Sequence, residues 1–324
     1  MFVTLHVVAL LASRSPAHDP TVQLCKPLPP QSRTQSFDCT PQQRAKVLLN
    51  ASAAPCMCKV GAPDGKGCIA RADPYDPWSA KWRSDGLMRS QALEDKYVLR
   101  NFFHPVHGQQ RTLDGHGFFI ELGAYDGVTY SNSHYFEHGL RWRGVLIEAE
   151  PQNYARLRSA DRPRSSKLHA AVCANASLLS MAGRGGVARA AEVRGGLKTG
   201  SALDLGGLDS GLVNCLPMNH LLELSGAASD ASIVGVDLFS IDVEGAEIHV
   251  LNTHDWRRFP ARVLLIEDTR GQEDRKRRAV HHALSTEGRM CRFARGVGMR
   301  NEVWVDPEYE AHSREAAAIV RGAR

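Results

Sequence analysis

The stretch Gly117-Phe-Phe-Ile-Glu-Leu-Gly-Ala-Tyr-Asp-Gly127 decides the fold. Phe118, Phe119, Ile120 and Leu122 make the apolar run of a strand buried in a parallel sheet. Gly123 and Gly127 follow at once and allow a sharp turn and a close backbone approach before the next helix. Glu121 and Asp126 put acid beside that turn. A phosphate loop would present bare N–H groups and usually a lysine. An acidic glycine loop suits a ligand with hydroxyls and a cationic end. The dinucleotide fingerprint G-x-G-x-x-G is not met, because Tyr125 stands where its second glycine would be.

Working outward, strands are expected at 117–122, 144–148, 167–172, 236–241, 261–267, 290–294 and 301–305. Helices are expected near 131–139, 151–159, 216–224, 244–251 and 271–286. This alternation predicts an α/β fold: a doubly wound, mainly parallel seven-stranded sheet with helices on both faces. The short link Arg295-Gly-Val-Gly298 predicts a terminal antiparallel hairpin. Glycines crowd residues 183–211, which reads as an insertion without a long helix, a lid or binding loop. Leu93, Tyr97, Val98 and Phe102 predict a helix just before the first strand, and a short helix is expected from about Pro41 to Asn50.

Residues 1–85 are rich in Pro, Gly, Ser and Cys, with little periodicity. Phe2 to Ala12 is mostly apolar and Ser15-Pro-Ala17 is small, which fits a secretory signal or an unstructured tail equally. No run of 18 apolar residues offers a membrane-spanning helix. Of eight cysteines, Cys25, Cys39, Cys56, Cys58 and Cys68 crowd the first seventy residues. That distribution favours a disulfide-stapled extension in an oxidising lumen. It disfavours zinc, because Cys56 and Cys58 have one residue between them rather than two to four. The expected organisation is a signal-like segment at 1–17 and an irregular, separable Cys/Pro-rich extension at 18–87. A domain at 88–310 and a tail at 311–324 complete it. The secretory lumen and the cytoplasm both stay open as locations. The net charge of +5 is spread over scattered basic residues, so no nucleic-acid partner is expected. Arg275-Lys-Arg-Arg278 and His281-His282 read as a solvated basic helix face.

In open α/β sheets ligands sit outside the carboxyl ends of the strands. Glu121, Glu148, Asp242 and Glu267 all fall at such ends. Each alone would serve as a cap or a solvated terminus; together they point to a site. Glu148 ends the second strand, where an acid accepts hydrogen bonds from ribose hydroxyls. Glu150 reads as a helix start, Ser131 to Ser133 as caps, and His134 as a lone histidine. No Ser-His-Asp order, Walker loop or His-Glu-x-x-His zinc motif occurs.

Phe119 to Gly127, Ser131-Asn-Ser133, Arg143 to Glu148, Ala170 to Cys173, Phe239-Ser-Ile-Asp-Val-Glu-Gly-Ala-Glu247, Val263 to Glu267 and Asn301 to Trp304 come in this order. The series resembles the FkbM-type methyltransferases, which use S-adenosylmethionine (SAM), over about residues 88–306. Ser90-Gln91 and Asp95 to Val98 resemble the helix that precedes that domain. The resemblance implies a class I methyltransferase, Rossmann-like fold and methyl transfer from SAM, commonly to a hydroxyl oxygen. It implies that Glu121, Gly123 and Gly127 line the cofactor and that Glu148 holds the ribose; Asp126, the other acid beside the turn, is expected at the same cofactor site. Asp242 and Glu244 are the candidates for a proton-accepting role, and no metal is expected. The expected acceptor is a hydroxyl on a small molecule or glycan. The rival reading is a luminal interaction or trafficking protein that kept the fold and lost turnover. A nicotinamide oxidoreductase is disfavoured by Tyr125 and by the lack of a catalytic Tyr-x-x-x-Lys on a helix.

Overall fold

The computed structural model describes residues 37–47, 56–58, 68–70, 86–103, 115–182, 189–193, 212–267, 274–298 and 300–322. In chain order its strands are β1 (Cys56–Cys58), β2 (Cys68–Ala70), β3 (Phe118–Leu122), β4 (Arg143–Glu148), β5 (Ser165–His169), β6 (Ala171–Val172) and β7 (Ser177–Ala182). They continue with β8 (Arg189–Val193), β9 (Leu212–Leu216), β10 (Val236–Ile241), β11 (Ala261–Glu267), β12 (Cys291–Val297) and β13 (Asn301–Val305).

Seven strands form the main sheet in the order β12-β13-β11-β10-β3-β4-β5. β11, β10, β3, β4 and β5 are parallel; β13 and β12 close the edge antiparallel, as the Gly-containing link predicts. Every residue of β3 and of β10 is buried, which is why both are mostly apolar, interrupted only by Glu121 in β3 and by Asp237 and Ser240 in β10. Ile120, Leu122, Val145, Phe239 and Ile241 pack on one face of the sheet; Phe119, Leu146, Leu238 and Leu265 pack on the other. The chain order reverses between β10 and β3, so the crevice outside their carboxyl ends is the place for a ligand.

Beside the strands β1, β2, β7 and β9, which the sequence reading does not contain, the structure departs from that reading at five places. The strand expected at 167–172 is two strands: Ala170 breaks the run, β5 stays in the main sheet and β6 leaves it. β6 joins a second, four-stranded sheet ordered β6-β9-β7-β8, in which Cys173 and Cys215 form a disulfide. Part of the glycine-rich insertion is thus a strand, β8; residues 183–188 and 194–211 lie outside the described residues. The expected tail is a helix, Tyr309–Gly322, anchored by buried Tyr309 and Ala316. The helix expected from 244 starts at Glu247, because Glu244 and Gly245 take positive φ values of 51° and 106°.

The fifth departure concerns the extension. Residues 37–47 do not stand apart from the sheet. Cys39 is disulfide-bonded to Cys291 at the start of β12. The backbone also pairs there: Arg292 N–H donates to Phe37 O at 2.7 Å and Cys39 N–H to Arg292 O at 3.0 Å. Asp38 accepts from Arg292 Nε at 2.8 Å, and the helix Pro41–Val47 lays Arg44 over the Phe293 ring at 4.7 Å. Main-chain bonds, an ion pair and a covalent link make this strap part of the sheet edge. Cys39, Cys173, Cys215 and Cys291 are all disulfide-bonded. No helix among them is long and apolar enough to cross a membrane.

Candidate active site

The site is built from three turns at the carboxyl edge of the sheet. The first follows β3. Gly123, Tyr125 and Gly127 have φ values of 75°, 52° and 78°, so the chain turns through left-handed conformations that glycine adopts at little cost. Both glycines are also required by the protein's own packing. A Cβ on Gly127 would come within 2.6 Å of Leu157 Cδ1, and one on Gly123 would run into the backbone of the turn after β10.

The turn is tied to the second element through Glu148, at the end of β4. Glu148 Oε2 accepts from Tyr125 N–H at 2.8 Å, and Oε1 accepts from Glu150 N–H at 2.8 Å. Burial pushes the Glu148 carboxyl up to about 7, against the pull of those two N–H donors. Glu150 caps the helix Pro151–Ser159 by accepting from Asn153 N–H at 2.7 Å, as its place before Pro151 predicts.

Glu121 does not face an open site. Its carboxylate accepts from Ser131 Oγ at 2.8 Å, Asn132 N–H at 2.7 Å and Ser133 Oγ at 2.5 Å. Ser131 and Ser133, which read as caps, instead bind this buried acid, and Ser133 makes no side-chain cap bond. Behind them Arg162 is fully buried. It donates to Glu137 at 2.6 Å, Gly127 O at 2.6 Å, Ser131 Oγ at 3.1 Å and Ser133 Oγ at 2.7 Å. The chain Glu121–Ser131/Ser133–Arg162–Glu137 therefore clamps the glycine turn from below. Arg162 and Glu137 carry no sequence signal: one lies in a Pro-containing loop and the other on a five-residue helix. Asp126 is used locally, accepting from Val128 N–H at 2.9 Å and Thr129 N–H at 2.6 Å. Asn132 reaches across to the neighbouring strand and donates to Ser240 Oγ at 2.9 Å; its buried Oδ1 has no hydrogen-bond partner among the described residues.

The third turn follows β10 and carries Asp242 and Glu244. Asp242 N–H donates to Leu122 O at 3.2 Å, which sews this turn to the end of β3. The Asp242 side chain keeps an exposed edge. Loss of hydration against the surrounding protein, and then the negative charges of Glu267, Glu244, Glu247 and Glu121, push its carboxyl up to about 7. Glu244 is exposed and held in the left-handed region, and Glu247 accepts from Gly245 N–H at 2.9 Å. Asp242, Glu244, Glu267 and Glu121 thus stand close enough to perturb one acid electrostatically.

His134 is no part of this arrangement. It is buried, bonded to Leu87 O at 3.0 Å and stacked on His138, and burial lowers it to about 4. His281, read as solvated, is buried and pairs with Glu302 at 2.9 Å; only His282 of that pair is exposed. A cleft of about 250 Å³ beside Phe102, Arg262 and Tyr309 lies at the opposite edge of the sheet, where β11 begins, and brings none of these acids together. No cluster of metal-ligating side chains occurs among the described residues.

Against known proteins, the family described as "Methyltransferase FkbM domain" matches residues 121–293. Among solved structures the chain is similar to the methyltransferase FkbM from Methylobacillus flagellatus KT. The identity is 13%, over 59% of this chain and 44% of that one, with a TM-score of 0.35. This chain therefore spans less than half of that protein's length. It is also similar to the O-methyltransferase from Bacillus cereus, solved in complex with SAH. There the identity is 14%, over 69% of this chain and 94% of that one, with a TM-score of 0.32. A search of curated proteins finds no match.

Proposed function

The chain belongs to the FkbM methyltransferase family, and from that premise we propose that it transfers a methyl group from SAM to a hydroxyl oxygen of a glycan or small metabolite. The observation that carries this reading is the joint between the glycine turn and Glu148, at 2.8 Å, beside the acidic turn after β10. The donor set suits the cosubstrate. The two oxygens of Glu148 accept from Tyr125 N–H, Glu150 N–H and the Asn153 side chain, which leaves a lone pair free to accept from a ribose hydroxyl. The acids Asp242, Glu244 and Glu267 favour a cationic end.

When bound, SAM supplies an already electrophilic methyl group. What remains for the chain is to align the acceptor and to take up a proton. Asp242 fits the second task, because a carboxyl near 7 combines a useful base strength with partial ionisation at neutral pH. Glu244 is the alternative base, held outward by its left-handed backbone. Glu121, Asp126 and Arg162 act as positioning residues: their polar atoms are spent on the loop, and they set where its backbone lies. Gly123 and Gly127 contribute backbone rather than surface.

Titration with SAM and with its demethylated product tests cofactor use. Labelled methyl transfer to a panel of hydroxylated glycans and metabolites tests the acceptor. Absence of SAM binding would favour the rival reading, a fold kept without turnover.

A further inference from the structure

The helix Asp274–Thr286 carries a cationic stripe that neither the fold nor the crevice uses. Arg275, Arg278 and His282 recur at helical spacing on one exposed face, with exposed Lys276 beside them. Val280, Ala283 and Leu284 pack the other face into the core. None of Arg275, Lys276 and Arg278 makes an ion pair among the described residues, and no acid follows Asp274 within the helix.

The topology places these cations at the crevice. β11 ends at the carboxyl edge with Glu267, and the helix follows it. The next strand, β12, starts at Cys291, opposite Val305, which itself lies opposite Val263 near the start of β11. The helix therefore runs from the carboxyl edge back to the amino edge, with Arg275, Lys276 and Arg278 at the crevice end. It packs against the helix Glu247–Thr253, which follows the Asp242–Glu244 turn. Four cations, Arg275 to Arg278, follow the single acid Asp274 in the first half of the helix and oppose its macrodipole; of the four, Arg277 has a partner. Exposed cations at Arg275, Lys276 and Arg278 with no ion-pair partner among the described residues are where a functional reason is to be sought.

We infer that this stripe docks an anionic glycan and delivers one of its hydroxyls to the acidic crevice. This inference rests on the hydroxyl-methylation reading and narrows its acceptor. A glycan with spaced sulfate or carboxylate groups presents charge to the helix and neutral hydroxyls to Asp242, Glu244 and Glu267. A nucleic-acid duplex cannot separate the two: one phosphate per about 1.7 Å would also meet those acids.

The test titrates the full chain with a size-fractionated heparin oligosaccharide, an unsulfated glucan oligosaccharide and a DNA duplex of matched charge. The variant combines Arg275→Gln, Lys276→Gln and Arg278→Gln, and SAM is titrated separately. The expected result is salt-sensitive binding of the heparin oligosaccharide alone, weakened about tenfold or more in the variant, with SAM affinity unchanged. The variant should melt no lower than the wild type, since it removes charges that oppose the dipole. No heparin binding by the wild type, equal binding by the variant, or equally tight binding of the duplex would each overturn the inference. The glycan titration needs no SAM, so its failure is separate from a failure of the methyltransferase reading.

Discussion

A Cβ placed on Gly123 would lie 1.9 Å from the carbonyl oxygen of Asp242. The turn after β3 and the turn after β10 are therefore in backbone contact, which leaves no room for a side chain between the two halves of the crevice. From the sequence alone, Gly123→Val reads as a folded protein that has lost its ligand. The contact changes that expectation. Gly123→Ala should already cost at least about 2 kcal/mol, from overpacking and from a left-handed φ imposed on a β-carbon. Urea unfolding measures it; a variant as stable as the wild type would mean the two turns are free to part.

Arg162 is the buried centre of the clamp beneath the glycine turn. Arg162→Ala leaves Glu137 buried without its partner and should cost about 3–5 kcal/mol. Replacing both members, as Arg162→Met with Glu137→Leu, should recover much of that loss while loosening the turn. Denaturant unfolding of the single and double variants separates the two effects.

The strap is joined to the sheet across 252 residues by Cys39 and Cys291. Cys39→Ser should cost about 2–5 kcal/mol. A chain starting at residue 37 should keep its stability, whereas one starting at residue 48 should lose the strap's bonds and behave like the cysteine variant. Thermal melting with and without reductant is the assay, and reductant should change the Cys39→Ser melt only through the remaining disulfides, Cys173–Cys215 among them.

Much of this was legible in the sequence. Buried parallel strands announce themselves as apolar runs, so all seven strands of the main sheet were placed, as was the row of acids at their ends. Contacts made at a distance were not legible. Asp38 meets Arg292 across the whole domain, and no local pattern predicts it. Arg162 looks like any loop arginine until the chain is folded. Glu121 and Glu148 are the same residue type near the ends of adjacent strands, but Glu121 pairs with Leu146, two residues short of Glu148; one is wrapped by Ser131 and Ser133 and the other bridges two turns. The helix Tyr309–Gly322 follows an Asp-Pro turn and contains three successive alanines, so a signal for it was present.

Glu148 and Asp242 also predict a pH dependence. Both carboxyls are raised in the folded state, to about 7 in each case. Each therefore contributes stability that is complete below the unfolded carboxyl range and is lost as pH rises through about 7. Ligand binding and base catalysis need the ionised forms and run the other way, strengthening as pH rises through the same window. Asp242→Asn should cut turnover by about 10²–10⁴-fold and leave SAM affinity nearly intact. A variant that turns over like the wild type would make Asp242 a structural residue and move attention to Glu244.

The proposed SAM site is Glu148 together with the glycine turn. Calorimetric titration of the wild type and of Glu148→Gln with SAM, from pH 6 to pH 8.5, tests it most directly. Binding by the wild type should be saturable and should tighten through about pH 7. In Glu148→Gln the affinity should be lower by roughly 1.5–3 kcal/mol per lost hydrogen bond, with the pH dependence flattened. No binding by the wild type, or the same dissociation constant for both proteins, would contradict it.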